Sequence, residues 1–351
     1  MPSIVKPTVT HPGLQRNSLG LSMRDYEGGM STLCAGCGHD SVTAALVRAL
    51  WEMSVPPHMI AKLSGIGCSS KTTAYFVNGA HGFNSAHGRM ATIATGASAA
   101  NREMIYIGVS GDGDSLSIGL GHLCHAIRRN LRMVYVIENN GVYGLTKGQF
   151  SASADVGSKA KRGEANLLAP IDPILLGLSL GATFLARSFS GAKTQLIPIL
   201  KAAIAHRGFA LLDIISPCVT FNDHEGSTKS YLYTRQHELK VTETDFVPVQ
   251  EEITADIPAN GAANIMMHSG DVVRFRSVPE SYDPTDREAV ADYLMERQGS
   301  GEVVTGLLYV DESVRDMHEI NGTPHTPLVN VPYEKLCPGS DQLSTLLESF
   351  R

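Results

Sequence analysis

The chain has 351 residues, a formal net charge of -6 and 18% charged residues, long enough for one large domain or a domain with an appendage. A pI near 6.1 and the lack of any Lys/Arg-rich block exclude nucleic acid as the main partner. No apolar run approaches the roughly 18 residues of a membrane helix, and the start, MPSIVKPTVTHPGLQRN, has no charged-then-apolar leader, so a cytoplasmic protein away from the membrane is expected.

Residues 1–33 are polar and carry Pro2, Pro7, Pro12 and Gly28-Gly29, which predicts an extended arm lying on a partner. Cys34-Ala35-Gly36-Cys37 follows, just ahead of a helical pattern that begins at Asp40 and places Val42, Leu46, Leu50 and Met53 on one side. A CxxC by itself serves a redox pair, half a zinc site, a pair of cluster ligands or inert structure. With six cysteines in the chain, a reducing compartment and a metal or redox site fit better than a disulfide framework. Residues 58–64 read as the first core strand, leading into GIGCSSK (65–71), a glycine and hydroxyl loop able to wrap a phosphate. His87-Gly88-Arg89 precedes a small-residue helix at 90–101 that can pack closely on a sheet. A histidine there reads first as a cap or packing residue.

The centre of the chain runs from Gly111 to Gly148. An apolar strand at 104–109 ends in Gly111-Asp112-Gly113-Asp114, where glycine lets backbone approach a ligand. The segment 116–129 puts Leu116, Leu120, Leu123, Cys124 and Ile127 on one helical face. A second strand at 132–137 ends in Asn139-Asn140-Gly141. Two strands joined by a helix deliver both polar turns to one edge of a parallel sheet, the edge where open α/β sheets bind ligands. A carboxylate and an amide carbonyl with backbone carbonyls nearby form a hard-oxygen set suited to magnesium and a phosphate ligand. Taken singly, each turn also reads as ordinary chain reversal, with Asp114-Ser115 capping the helix.

Beyond Asn140 the pattern is lost, and 141–166 reads as a long polar loop of the kind that is functional or mobile. Lys147, a few positions past the magnesium turn, is placed to meet a substrate carboxylate, although as a loop lysine it equally reads as solvated. Residues 172–180, 182–187, 192–206 and 209–215 continue helix, strand, helix, strand, up to Ser216-Pro217-Cys218. After Asn222 the texture turns polar and strand-like in places, with one more helix at 284–298 and one more strand at 303–310. Cys124, on an apolar helix face, and Cys337, in a Pro/Gly loop, read as structural. The expected fold is α/β, a doubly wound and mostly parallel sheet over 34–222, flanked by the arm and by a C-terminal region, 223–351, packed on the core or on a partner.

GDG followed by a double Asn after a βα unit resembles the diphosphate motif of thiamine diphosphate enzymes. That resemblance implies Mg2+ held by Asp112, Asn140 and the Val142 carbonyl. Cys34, Cys37, Cys68 and Cys218 all fall at element ends on the ligand edge, and four thiolates suit zinc or a [4Fe-4S] cluster. The thiamine motif favours iron, because an electron-rich thiamine adduct can be drained by a nearby cluster one electron at a time. In order along the chain, CAGCGH, GIGCSSK, HGRMATIATG, GDGDS, ENNGVYGLTKGQ and SPC resemble the β subunit of 2-oxoacid:ferredoxin oxidoreductases, most of all those using 2-oxoglutarate. The likeness is strong over 24–222 and returns at PTDREAVADYLMERQGSGEVVTGLLYV.

The resemblance implies that the four cysteines hold one cluster and that Ile66, Gly67, His87, Gly111, Asp112, Gly113, Asp114, Asn140, Val142, Tyr143, Gly144 and Leu145 line the cofactor site. It also raises Lys147 to a contact with the oxo acid's carboxylate. No motif here supplies the carboxylate that activates the aminopyrimidine, so an α subunit is expected to provide it in an (αβ)2 heterotetramer, with coenzyme A capturing the acyl group and ferredoxin taking the electrons. Two other readings are a thiamine-dependent decarboxylase or synthase with structural zinc, and a non-catalytic electron-transfer subunit.

Overall fold

The computed structural model describes residues 11–159, 163–242, 244, 262–266, 272–276, 282–337 and 339–350. Its strands are β1 (Ile60–Ser64), β2 (His81–Asn84), β3 (Ile105–Gly111), β4 (Met133–Asn139), β5 (Val142–Tyr143), β6 (Gln149–Phe150), β7 (Phe184–Phe189), β8 (Phe209–Ile215), β9 (Glu238–Lys240), β10 (Ala262–Met266), β11 (Val272–Arg276) and β12 (Val303–Val310). Eight of them form one sheet in the order β2-β1-β3-β4-β8-β7-β12-β9, parallel throughout except where β12 runs against β7. Every residue of β4 and β8 is buried, which explains why both are largely apolar: a parallel sheet covered on both faces has no side to leave polar.

Each face carries its own core. The helices α1 (Gly38–Glu52) and α5 (Lys193–Ala205) cover one, packing Leu46, Leu50, Leu196 and Leu200 on Ile107, Val134 and Leu212. The other is covered by α2 (Met90–Ala100), α3 (Leu120–Arg128), α4 (Pro173–Ser179) and α7 (Arg287–Gly299), through Ala94, Leu123, Leu178 and Leu294. Full burial of one such leucine contributes about 1.5–3 kcal/mol. The C-terminal region adds β12 and β9 to the same sheet, and its polar beginning folds into a helix, α6 (Tyr231–His237), before β9. Residues 243 and 245–251 of that stretch lie outside the described residues.

Four sequence expectations change. In its described part the N-terminal segment is no free arm: Tyr26 is wholly buried, its hydroxyl donates to the Val55 carbonyl at 2.7 Å, and the Trp51 indole donates to Leu21 O at 3.0 Å. One buried aromatic among prolines and glycines carries no periodicity, so the pattern could not reveal it. The expected helix 116–129 instead opens as a π-type turn, Gly113–Ile118, and breaks at Gly119 before α3. The cause is close packing: a Cβ on Gly119 would stand 2.9 Å from the Gly88 Cα. The edge strand β2 was not foreseen because all four of its residues are exposed. Finally, the polar loop 141–166 has local structure of its own. It begins as the antiparallel pair β5–β6 and then buries Ser151 and Ser153, while 160–162 lie outside the described residues.

Candidate active site

Every residue that the sequence assigned to the cofactor site lines one cavity of about 260 Å³ at the carboxyl ends of β1, β3 and β4. The π-type turn after β3 carries two buried carboxylates with different work. Asp114 is a strut: its Oδ1 accepts from the Gly88 N–H (2.8 Å) and its Oδ2 from the Ser110 hydroxyl (2.8 Å), so it pins the His87-Gly88-Arg89 loop to β3. The helix that follows has Gly119 at its N-cap and no side-chain cap bond. Asp112 receives three donors on Oδ2, the Gly141 N–H at 2.9 Å, the Ser153 hydroxyl at 2.6 Å and the Ser151 hydroxyl. All three gather on one of its two oxygens. Burial pushes the Asp112 carboxyl up, and those donors work against it, as a bound cation also would.

The Asn pair after β4 divides in the same way. Asn139 points into the sheet's second face, donating to Asp213 Oδ1 at 2.9 Å and accepting from Ser153 at 2.9 Å. Asn140 lines the cavity, its Oδ1 accepting from the Val142 N–H at 3.0 Å. Asp112, Asn140 and Val142 thus converge on one wall, a donor set fitting magnesium, which is bound through one or two carboxylates plus substrate phosphates. Glycines shape the rest. A Cβ on Gly113 would meet the Tyr143 ring at 2.5 Å, and the Tyr143 hydroxyl donates to Gly113 O at 3.0 Å.

Cys68 lines the cavity, and the other three expected cluster cysteines lie around it. A Cβ built on Gly144 would be 3.4 Å from Cys68 Sγ and 3.6 Å from Cys218 Sγ. The CxxC turn docks on the Ser216-Pro217-Cys218 corner through Gly38 N–H to Pro217 O (3.3 Å), and Thr220 donates to Cys34 Sγ at 3.4 Å. Burial pushes the Cys37 thiol up to about 12 and raises that of Cys68; bound iron would deprotonate them. Among the described residues no three His, Cys, Asp or Glu side chains close on a single metal ion. Two of the four thiols, Cys68 and Cys218, meet at Gly144, and the CxxC turn docks on the corner that carries Cys218, a wider spacing than one ion needs and one that fits a cluster.

Lys147 stands beside the cavity rather than in its wall: Leu145 and Thr146 line it, and Lys147 is exposed. Its φ of 79°, next to Gly148 at 97°, is a left-handed conformation costing of order 1–3 kcal/mol outside glycine, of the kind that collects at functional loops. Sequence reasoning missed Ser151, Ser153 and His39. His39 is buried, with Nδ1 2.6 Å from Ser216 Oγ and 3.5 Å from Glu138 Oε2. Burial holds it near 4 and pushes the Glu138 carboxyl well up. CAGCGH displayed His39 openly; the serines bond to a carboxylate about forty positions earlier, which no local pattern can signal.

The comparisons agree with this geometry. Residues 65–214 match the family model described as thiamine pyrophosphate enzyme, C-terminal TPP binding domain. The chain is 41% identical over 207 residues, 59% of its length and 67% of the relative's, to the 2-oxoacid:ferredoxin oxidoreductase subunit beta of Saccharolobus solfataricus. It belongs to that family of β subunits. A 2-oxoglutarate oxidoreductase subunit KorB of Mycobacterium tuberculosis is 41% identical over 191 residues, 54% of this chain and 51% of that one. Among solved structures, a 2-oxoglutarate:ferredoxin oxidoreductase from Magnetococcus marinus, with 2-oxoglutarate, coenzyme A and succinyl-CoA bound, superposes with TM-score 0.70 at 28% identity, covering 90% of this chain and 94% of that one. The α/β sheet is therefore that of thiamine diphosphate enzymes, and this β subunit is part of a thiamine-dependent oxidoreductase that pairs it with an α subunit. No helix among the described residues is long and apolar enough to cross a membrane.

Proposed function

We propose that this β subunit carries thiamine diphosphate, Mg2+ and one [4Fe-4S] cluster in an (αβ)2 enzyme. That enzyme decarboxylates a 2-oxo acid, 2-oxoglutarate in the first place, with coenzyme A to acyl-CoA and CO2, and passes two electrons to ferredoxin. The observation that carries the reading is Gly144, whose position brings the magnesium turn within contact distance of Cys68 and Cys218. When bound, thiamine diphosphate supplies carbanion chemistry at the 2-oxo carbon and the cluster accepts electrons singly. The chain's own part is to hold and orient. Asp112 Oδ1, Asn140 Oδ1 and the Val142 carbonyl hold the cation, and Gly67, Gly111 and Gly113 let the backbone close on the diphosphate. Cys34, Cys37, Cys68 and Cys218 hold the cluster, and Lys147 receives the oxo acid's carboxylate. No motif of this chain supplies the carboxylate that activates the aminopyrimidine, and the α subunit provides it.

Anaerobic co-purification with the α subunit, metal analysis and a panel of 2-oxo acids with coenzyme A and an artificial acceptor test the reading. The expected result is about four irons and four acid-labile sulfides per β chain, with 2-oxoglutarate the fastest substrate. One zinc and no sulfide would instead make the enzyme a thiamine-dependent decarboxylase or synthase without electron transfer.

A further inference from the structure

Two parts of the site meet at one side chain. His39 is 1% exposed, lines the cofactor cavity and stands two positions beyond Cys37. Its place is fixed by the start of α1. The Gly38 N–H donates to Pro217 O at 3.3 Å, and a Cβ on Gly38 would stand 2.6 Å from Ser216 Oγ, so glycine lets this end of the helix press on the corner that carries Cys218. From there the ring spans a gap. Nδ1 lies 2.6 Å from Ser216 Oγ and 3.5 Å from Glu138 Oε2, and Nε2 lies 3.5 Å from Asn140 Nδ2.

The partner on Nε2 decides the tautomer. An amide nitrogen only donates, so Nε2 carries the lone pair and Nδ1 the hydrogen, which Ser216 Oγ accepts. That assignment bears on Asn140. Its backbone carbonyl accepts from Asn222 Nδ2 at 2.8 Å, but among the described residues its carboxamide has two holds, the Val142 N–H on Oδ1 at 3.0 Å and His39 on Nδ2. Held at both ends, the amide cannot exchange its oxygen for its nitrogen, which would set a donor where a cation needs an acceptor.

We infer that His39 is a positioning residue for the magnesium turn: its Nε2 accepts from Asn140 Nδ2 and so keeps the Asn140 side-chain oxygen available to the cation. The inference rests on the cavity being the site of thiamine diphosphate and Mg2+. The rival role is a brace for the Cys218 corner through Nδ1 alone. Two substitutions separate the roles, because Asn offers a donor at the Nδ1 position without reaching Asn140, while Gln reaches it with an acceptor at the Nε2 position.

The assembled αβ enzyme, kept anaerobic with its cluster and stripped of Mg2+, is titrated calorimetrically with Mg2+ in saturating thiamine diphosphate. Iron content and the cluster's midpoint potential, read by electron paramagnetic resonance, are followed alongside. His39→Asn is expected to weaken Mg2+ binding about 10-fold or more with iron content and potential unmoved, while His39→Gln stays within about threefold of the parent. Unchanged Mg2+ affinity in His39→Asn overturns the inference. So does equal weakening in both variants, the mark of a structural role, and so does lost iron or a shifted potential in His39→Asn, which assigns the ring to the cluster corner. A parent enzyme that binds no Mg2+ with thiamine diphosphate overturns the functional reading together with this inference, whereas a parent that binds and a His39→Asn variant that binds equally overturn the inference alone.

Discussion

Two cavities of nearly equal size, about 260 and 240 Å³, are linked through Ser153 and Asn139, which line the second, Ser153 donating to Asp112 of the first. The second is lined by Asp155, Asp172, Arg187, Asp213, Lys229 and Glu302, and each charge there has its partner. Arg187 alone bridges Asp172 and Asp213, both at 2.7 Å. The cavity at the ends of β1, β3 and β4 looks alike in outline and differs in its hydrogen bonding: among the described residues Ser69 Oγ lacks a partner. Buried polarity by itself does not mark a site. A satisfied network is architecture, while buried groups left short of partners mark where a ligand completes the protein.

Breaking each cavity in turn should therefore produce opposite symptoms. Asp112→Ala should abolish Mg2+-dependent thiamine diphosphate binding in the assembled enzyme, read by calorimetry, while the circular dichroism spectrum and the iron content hold. Retained Mg2+-dependent binding would sink the assignment of that carboxylate. Arg187→Met should leave Asp172 and Asp213 buried without their cation, costing about 3–5 kcal/mol and lowering the melting temperature by roughly 10 °C. Thiamine diphosphate affinity should change less than about threefold; a loss matching that of Asp112→Ala would show that the two cavities are one functional unit. For Lys147→Met, the expectation is an apparent KM for the 2-oxo acid raised about 10-fold, with that for coenzyme A little changed. Equal effects on both would argue against a carboxylate contact.

The smallest expected effect is on acid stability. Burial alone would raise the carboxyls of Asp155 and Asp172, but Lys229 and Arg187 more than offset it and hold both below the ordinary range. Because the folded-state values lie under the unfolded ones, the stability they contribute is present above about pH 4 and is lost as pH falls through the folded-state values. Thermal melts from pH 5 downward should decline more steeply for the parent than for Arg187→Met, in which Asp172 has lost its cation. Parallel curves would mean that Asp172 is not linked to stability through Arg187.

Much of this molecule is readable without coordinates, and the reasons are local. Strands such as β4 and β8 announce themselves because a sheet buried on both faces favours near-continuous apolar runs, and α1 because Val42, Leu46 and Leu50 recur at helical spacing. The two turns were legible as a pair because a βα unit must return both strand ends to one edge, and the scattered cysteines because each falls at an element end. Where residues spoke only through distant partners, the sequence was silent. It showed four exposed residues where an edge strand pairs with β1, and an arm where Tyr26 is buried under α1.

By itself, then, the sequence determined the layered α/β plan, the polar edge and the roster of candidate ligands, since these follow from periodicity and from residue types that have few other uses. Only the tertiary structure decided which of two aspartates two positions apart is the strut and which gathers donors from the Asn139-Asn140-Gly141 turn and from Ser151 and Ser153, which asparagine of a pair lines the cavity, and which of three cavity hydroxyls is left without a partner among the described residues. Those outcomes depend on donors brought from about thirty to forty residues away, as Gly141, Ser151 and Ser153 are to Asp112, and a hydrogen bond is decided by where chain folding places its two ends.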